Sequence, residues 1–170
     1  MMSEVNFAPI MTLKEFAEIR STLEGTLVLT SGGYDPLHPG HISCIVDSKR
    51  HGDLLVVVVN GDWFLDHKKG KHFMDLKTRS EIIAAIRGVD FVVPFEIEKD
   101  LTVNVALEAI VPDIFTKGGD RADAATIPEW ETCAANGIEV VTGVGDSKSH
   151  SSSNILEDWY ESRLRLFMDA

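Results

Sequence analysis

The strongest constraint on the fold is an unbroken run of apolar residues, Leu-Leu-Val-Val-Val-Val, at positions 54–59. A strand with one solvated face alternates apolar and polar residues, whereas a strand covered on both faces is apolar throughout. Strands of the second kind lie in the middle of parallel sheets that have helices on both sides. We therefore predict a central parallel strand at residues 53–60.

Strand-like and helix-like segments alternate along the rest of the chain. Leu13, Phe16, Ile19 and Leu23 recur at helical spacing, which predicts a leading helix. The predicted strands are 26–30, 53–60, 91–95, 113–116 and 139–141, the predicted helices are 11–23, 41–49, 76–86, 102–110, 131–136 and 154–167, and the predicted loops include 60–73 and 146–153. This order predicts an α/β fold, a Rossmann-like three-layer sandwich with a five-stranded parallel sheet.

No repeat, low-complexity linker or break in composition divides the chain, so we predict one domain over residues 1–170. It comprises a leading helix in 1–24, a core in 25–153 and a closing helix in 154–170. With 170 residues, 44% of them hydrophobic, the chain can bury a sizeable core. The apolar closing stretch at 159–168 can serve as the interface of a homodimer.

Charge and composition exclude several classes of function. The formal charge of −11 argues against a nucleic-acid binder, because such binding depends on basic residues that neutralise phosphates. No apolar stretch is long enough for a bilayer and no leader pattern opens the chain, so we expect no membrane partner and a cytoplasmic location. Cys44 and Cys133 lie far apart without metal-ligand spacing, which predicts reduced thiols and no protein-bound metal.

The loop after the first strand, residues 31–41, carries the clearest signal of chemistry. Gly32 and Gly33 allow the backbone to approach a bulky anion, and Ser31 precedes them. Gly40 stands where the next helix begins, and a helix start presents N–H groups and a positive dipole end to a phosphate. In an open α/β sheet this loop lies at the ligand-binding edge. We predict that it binds a nucleoside triphosphate.

His38 and His41 are three residues apart across this helix start, so both imidazoles can face one bound group. Two such donors suit a phosphoryl centre whose oxygens gain charge as pyrophosphate leaves. A lone histidine is more often a satisfied core or surface residue, but a pair inside a Gly-rich strand-to-helix loop favours catalysis. A zinc site is the alternative, yet no further His or Cys lies at a suitable spacing.

The same loop resembles the G-x-F-D-x-x-H-x-G-H motif of the cytidylyltransferase-like nucleotidyltransferases. This chain supplies Gly32, Tyr34 in place of Phe, Asp35, His38, Gly40 and His41. The resemblance runs from about residue 25 to 156, with its motifs in order. It implies the nucleotidyltransferase fold, a catalytic role for His38 and His41, and nucleotide binding by residues 31–34 and Gly40.

Two basic residues extend the resemblance. Lys69 matches the family's flexible lysine, which implies that it closes over the triphosphate; the alternative is a solvated basic loop. Arg79 matches an arginine at the start of the next helix, which implies phosphate binding; the alternative is an ion pair with Glu81 or another carboxylate near the helix start. Asp35 is expected to orient magnesium or the acceptor, or to make local turn hydrogen bonds.

One branch of the family, the bacterial enzymes that adenylylate heptose 1-phosphate, is the most similar. Its K-G-G-D motif appears as Lys117, Gly118, Gly119 and Asp120, and its Ser-Thr-Thr-x-Ile-Ile segment corresponds to residues 151–156, which begin with Ser151, Ser152 and Ser153. The resemblance implies that Lys117, Gly118, Asp120 and the three serines bind nucleotide. An ordinary turn and simple helix capping are the alternatives.

The resemblance implies a reaction in which a nucleoside monophosphate passes from a triphosphate, ATP rather than CTP, to a phosphorylated small molecule such as a sugar 1-phosphate. Magnesium enters with the nucleotide. The aromatic segment at 63–67 departs from the branch, and we expect Trp63 to contact the acceptor. Two alternatives stay open: a CTP-dependent enzyme for polyol phosphates, and an inactive nucleotide-binding regulatory module.

Overall fold

The computed structural model describes residues 7–119, 124–146 and 151–168. Its centre is a five-stranded sheet in which every pair of neighbouring strands is parallel, in the order β3-β2-β1-β4-β5. The strands are β1 Leu27–Gly32, β2 Leu54–Asn60, β3 Phe91–Phe95, β4 Ile114–Gly118 and β5 Glu139–Val144. The predicted five-stranded parallel sheet is confirmed.

Seven α-helices lie within the described residues. They are α1 Leu13–Ile19, α2 Pro39–Lys49, α3 Asp62–Lys69, α4 Leu76–Ala84, α5 Asn104–Ile110, α6 Trp130–Ala135 and α7 Ser152–Met168, with short 3-10 turns at Arg20–Thr22 and Ala124–Thr126. Local sequence explains several starts. Thr12 and Glu15 form a capping box at α1, and the Asp75 carboxylate caps α4 by accepting the Thr78 N–H.

The apolar run of β2 is buried on both faces, as predicted. Val56 and Val58 pack into a cluster with α1, α5 and α6, whereas Leu55, Val57 and Val59 pack into a second cluster with α2 and α4. Successive side chains of a strand point to opposite faces, so a continuous apolar run supplies both clusters at once. The result is the predicted sandwich of helices, sheet and helices.

The largest correction concerns residues 60–73, where a loop is predicted and the structure has α3. The Glu96 carboxylate, from beyond β3, accepts the N–H groups of Asp62 and Trp63 and so caps this helix. Leu65 is 1% exposed and anchors the helix to the core. Gly70, at φ 88°, ends it. The cap is 34 residues away in sequence, so local pattern does not reveal it.

The closing helix α7 begins at Ser152, inside the predicted loop 146–153, and projects an apolar face into solvent. Trp159, Tyr160, Phe167 and Met168 are all more than half exposed. A homodimer through this stretch stays a prediction. Within residues 7–119, 124–146 and 151–168, no helix combines the length and apolarity that crossing a bilayer requires.

Candidate active site

The sheet has one topological switch point, between β1 and β4. The chain proceeds from β1 to β2 and β3 on one side, and then crosses to β4 and β5 on the other. The two neighbouring strands end at Ser31 and Gly32 and at Lys117 and Gly118. In open α/β sheets the ligand crevice lies beyond the carboxyl ends of such strands. The predicted motifs therefore do converge on this crevice.

The glycines of the first loop are packed closely against side chains of the protein itself, and their predicted contact with a nucleotide stays a prediction. A Cβ on Gly32 would lie 2.9 Å from Cζ of Tyr34, and a Cβ on Gly33 would lie 2.7 Å from Cδ2 of Leu65. The space is thus filled by the protein's own side chains. Tyr34 is itself 5% exposed, so its ring supports the loop and presents little surface to a nucleotide.

The two predicted catalytic imidazoles stack on one another at the start of α2. The ring centroids of His38 and His41 are 3.7 Å apart with an interplanar angle of 19°, and Tyr34 meets His41 edge-on at 5.3 Å. His38 is the N-cap of α2, which places the pair at the positive end of the helix dipole. Both rings therefore face the same small volume, as the spacing predicts.

His41 is held neutral. Burial, reinforced by the neighbouring His38 and Lys69, lowers the pKa of His41 from 6.5 to about 3. Its Nδ1 is buried and has no hydrogen-bond partner among the described residues. At neutral pH this ring is an uncharged group with unused hydrogen-bonding capacity, in a site that is already cationic.

Lys69 reaches this site from a helix and not from the predicted loop. It is the last residue of α3, and its Nζ donates to the main-chain oxygen of Asp35 at 2.9 Å. Burial lowers the pKa of the Lys69 ammonium. Because Gly70 follows directly with a positive φ, the lysine stands at a helix end beside the first loop. Lys69 lies close enough to His41 for its charge to lower the pKa of that imidazole, and its predicted closure over a triphosphate stays a prediction.

Asp35 does not present its carboxylate to a ligand. The side chain is 1% exposed, and its oxygens accept the N–H groups of Phe73 at 2.7 Å and Met74 at 2.8 Å. The expected contact with magnesium or acceptor is therefore wrong in this structure. Asp35 instead ties the first loop to the segment that connects α3 with α4, through hydrogen bonds that span 38 and 39 positions and are not the local turn bonds offered as the alternative.

Arg79 is also a framework residue: it pairs with a carboxylate, as the alternative to phosphate binding expects, but that carboxylate is Asp62 and not Glu81. Its side chain is fully buried. The guanidinium donates to the main-chain oxygens of Met74, Gly33 and Asn60 and pairs with the Asp62 carboxylate at 2.6 Å. With its donors engaged, it has no surface for a phosphate, while Glu81 pairs with Lys77. Arg79 fixes the ends of β1 and β2 relative to each other.

The K-G-G-D segment contributes a lysine whose surroundings the sequence does not reveal. Lys117 Nζ lies 3.4 Å from Ser31 Oγ and 3.4 Å from Oε1 of Glu129, and also above the Phe115 ring. Gly118 ends β4 at the crevice, where a Cβ would lie 2.7 Å from Cys44 Sγ, and its predicted nucleotide contact stays a prediction. Asp120, the last residue of the motif, falls outside the described residues.

The serine segment reaches the first loop, as predicted. Ser152 is 8% exposed and donates from Oγ to the main-chain oxygen of Pro36 at 3.0 Å, while Ser151 accepts the N–H of Ile155. Ser153 follows in the first turn of α7. The three serines thus flank the loop that carries the histidines. Capping and ligand binding are both compatible with this place.

The aromatic segment of α3 divides into two parts. Trp63 stacks on His67, with ring centroids 5.1 Å apart. Phe64 lines a narrow cleft between the ends of β2 and β3, together with Asn60, Phe95 and Thr102. The predicted acceptor contact by Trp63 stays a prediction, and the structure places its neighbour Phe64 at a cleft.

Three polar side chains that the sequence analysis did not select lie at the same edge of the sheet. Asn60 Oδ1, Asn104 Oδ1 and Glu129 Oε2 are buried and lack hydrogen-bond partners among the described residues. Asn60 ends a buried strand, a signal that would have justified selecting it. Asn104 and Glu129 stand at helix starts, where Asn and Glu are ordinary. Among the described residues, no group of three His, Cys, Asp or Glu side chains is arranged for a metal.

Comparisons with known proteins agree with this arrangement. A family model described as cytidylyltransferase-like matches residues 29–157. The bifunctional protein HldE of Nitrosococcus oceani is 36% identical over 131 residues, which cover 76% of this chain and 27% of that protein. HldE of Desulfatibacillum aliphaticivorans is 32% identical over 161 residues, which cover 86% of this chain and 30% of the relative. The chain therefore spans less than a third of the length of these relatives.

Solved structures with a similar fold include a lipopolysaccharide core biosynthesis protein from Thermoplasma volcanium. It aligns with a TM-score of 0.61 and 26% identity, over 72% of this chain and 99% of that one. Pantoate–β-alanine ligase from Francisella tularensis aligns with a TM-score of 0.59, over 85% of this chain and 68% of that one. At 17% identity, the second likeness concerns the fold alone.

Proposed function

The chain belongs to the cytidylyltransferase-like family, and from that premise we propose that it transfers a nucleoside monophosphate from a nucleoside triphosphate to the phosphate of a small molecule, releasing pyrophosphate. ATP is the favoured nucleotide and a sugar 1-phosphate the favoured acceptor. This choice is supported by the K-G-G-D and serine segments, and by the similarity to the bifunctional HldE proteins.

The stacked pair His38 and His41, with Lys69 beside it, is the observation that carries the proposal. In the proposed reaction an oxygen of the acceptor phosphate attacks the α-phosphorus, the new P–O bond forms, and the bond to the β-phosphate oxygen breaks. Charge increases on the α-phosphate oxygens and on the leaving pyrophosphate. The imidazoles donate hydrogen bonds to the first, and the Lys69 ammonium neutralises the second.

The neutrality of His41 suits this role. A neutral imidazole that is already oriented donates without reorganisation, and it adds no further charge repulsion next to Lys69. No covalent intermediate on the protein is required, because a phosphate monoester is an adequate nucleophile once it is positioned. Magnesium would enter with the nucleotide substrate and would neutralise part of the charge on its phosphates.

We place this activity in the cytoplasm. Both cysteines, Cys44 and Cys133, are free thiols, and burial raises the pKa of each, so neither is activated for redox chemistry. Such thiols are compatible with a reducing compartment.

A pyrophosphate-release screen tests the proposal. ATP and CTP are each combined with a panel of sugar 1-phosphates and polyol phosphates, and products are identified by mass spectrometry. We expect release that requires both substrates and yields a nucleoside diphosphate derivative of one acceptor, with ATP preferred. Release only with CTP would shift the assignment to the cytidylyl branch. Absence of release with every combination would contradict the proposed function.

A further inference from the structure

We propose that Asn60, Asn104 and Glu129 form a binding site for the hydroxyl groups of the acceptor molecule, on the opposite face of the sheet from α2. This inference rests on the proposed function, since it names the part of the protein that recognises the non-phosphate portion of that acceptor. It implies that the acceptor is a phosphorylated compound with several hydroxyl groups.

Glu129 is the centre of the site. Its side chain is buried, with the residue 3% exposed, and Oε1 lies 3.4 Å from both the Val103 N–H and the Lys117 ammonium. The second oxygen, Oε2, is buried and has no hydrogen-bond partner among the described residues. One oxygen therefore fixes the carboxylate in place, and the other remains available as an acceptor.

Asn104 is connected to Glu129 through the backbone. Glu129 accepts the N–H of Val103, and Asn104 is the next residue and the first of α5. Its Oδ1 is buried and unpaired among the described residues. The segment that leads to it, at Thr102, lines the narrow cleft that Asn60 also lines. Asn60 carries the third such oxygen at the end of β2.

The chemistry of these groups selects the ligand. Buried polar atoms in native proteins are almost always paired, and a partner missing from the protein is most simply supplied by a ligand or by water. A carboxylate accepts hydrogen bonds and repels phosphate, whereas an amide both accepts and donates. Hydroxyl groups satisfy both requirements. The phosphate end of the same molecule must then point away from Glu129.

The position of the site relative to the histidines allows this. Val103, Cys133 and the helices α5 and α6 pack on one face of the sheet, and α2 with Ile45 packs on the other. The two faces meet at the end of β1, where Lys117 Nζ lies 3.4 Å from Ser31 Oγ and also pairs with Glu129. An acceptor whose hydroxyls contact Glu129 can thus direct its phosphate past Lys117 toward the first loop.

Binding can be measured without relying on catalysis. The full chain, saturated with the non-reactive analogue α,β-methylene-ATP, is titrated calorimetrically with glucose, galactose and mannose 1-phosphates, glycerol 3-phosphate and ethyl phosphate. The last compound carries the phosphate without hydroxyls. The same titrations are made with Asn104→Leu and Glu129→Gln. Gln keeps one carbonyl oxygen for Val103 and Lys117 while it replaces the unpaired oxygen with an N–H₂ group.

We expect at least one hydroxylated phosphate to bind more tightly than ethyl phosphate. In each variant the affinity for that compound should fall about tenfold, which corresponds to the loss of one hydrogen bond. The affinity for α,β-methylene-ATP should stay within about twofold, since Lys117 keeps its contacts. Asn104→Leu should melt at or above the wild-type temperature, because it removes an unpaired polar group. The matched control Glu131→Gln, on the exposed side of α6, should change nothing.

Two results would overturn the site: variants that bind the hydroxylated phosphate as the wild type does, or no panel member that binds better than ethyl phosphate. The first result means that water alone satisfies these oxygens. Binding that depends on Glu129, but without pyrophosphate release, would leave the site standing and refute the transfer reaction. Pyrophosphate release with an unchanged acceptor KM in both variants would support the transfer reaction and refute the site.

Discussion

The two sides of the sheet's carboxyl edge differ in the hydrogen-bonding groups that they carry. On the α2 side stand stacked imidazoles and a lysine, all of which can donate. On the α5 and α6 side stand unpaired oxygens of Asn60, Asn104 and Glu129. The first set suits phosphates, and the second suits hydroxyls. A net charge of −11 conceals this division, because what a ligand meets is set within a few ångströms.

The difference also teaches how one crevice can hold two substrates that would otherwise repel each other. A triphosphate and a phosphorylated acceptor are both strongly anionic. If only the phosphate ends meet, at the donors of the α2 side, the remainder of the acceptor can be held by carboxylate and amide groups elsewhere. At this edge Lys117 contacts both Ser31 and Glu129, while Arg79 joins the ends of β1 and β2.

The largest expected effect follows from removing that connection. Arg79→Met removes the ion pair with Asp62 and the hydrogen bonds to three main-chain oxygens, so we expect a loss of roughly 3 kcal/mol in the free energy of unfolding, at the low end for a buried pair because Asp62 is partly exposed. Urea unfolding measures it. The exposed Arg87→Met is the matched control, with an expected change below about 0.5 kcal/mol.

If Arg79 bound phosphate and not the framework, the result would be the opposite. Arg79→Met would then retain its stability and lose nucleotide affinity alone. A normal unfolding curve combined with a raised KM for ATP would therefore restore the substrate role that the sequence indicates.

The second prediction tests whether the imidazoles of the α2 side act in catalysis and not only in nucleotide binding. His41→Ala removes a donor that the proposed reaction uses most in the transition state, so kcat should fall by about a hundredfold, near 3 kcal/mol, while the KM for ATP changes little. The exposed His51→Ala serves as the control. A His41→Ala protein with near wild-type kcat would show that the stacked pair has no part in catalysis.

The sequence predicted the sheet, its parallel order and the convergence of the histidines, Lys69 and the serines, because each depends on local pattern or on motif order. Prediction from the sequence failed where a residue distant in the chain determines the local structure. Glu96 caps α3 across 34 positions, so a polar, basic stretch folds as a helix. Likewise, Arg79 and Asp35 resemble ligand contacts in the linear motif, yet burial commits both to main-chain partners. Asn104 and Glu129 have no distinctive spacing at all.

The smallest predicted effect is a change in the pH dependence of stability. It tests whether His41, on the α2 side, is as desolvated as its burial indicates. Burial lowers the pKa of His41 to about 3, whereas an unfolded histidine titrates near 6.5. Below about pH 6.5 the unfolded chain gains a proton that the folded chain does not. The His41 contribution to stability is therefore constant above that pH and is lost as the pH falls from about 6.5 toward 3. His41→Gln should remove this loss.

Urea unfolding at pH 7.5 and 5.5 makes the measurement. Between these values the wild type should lose on the order of 1 kcal/mol more than His41→Gln. His72 provides a control of opposite sign, since its hydrogen bond to Asp66 raises its pKa and gives stability that is present at low pH and lost as pH rises. His72→Gln should thus lose more stability at pH 5.5 than at 7.5. Parallel pH profiles for the wild type and His41→Gln would mean that His41 is hydrated, and the description of the α2 side as a desolvated set of hydrogen-bond donors would be wrong.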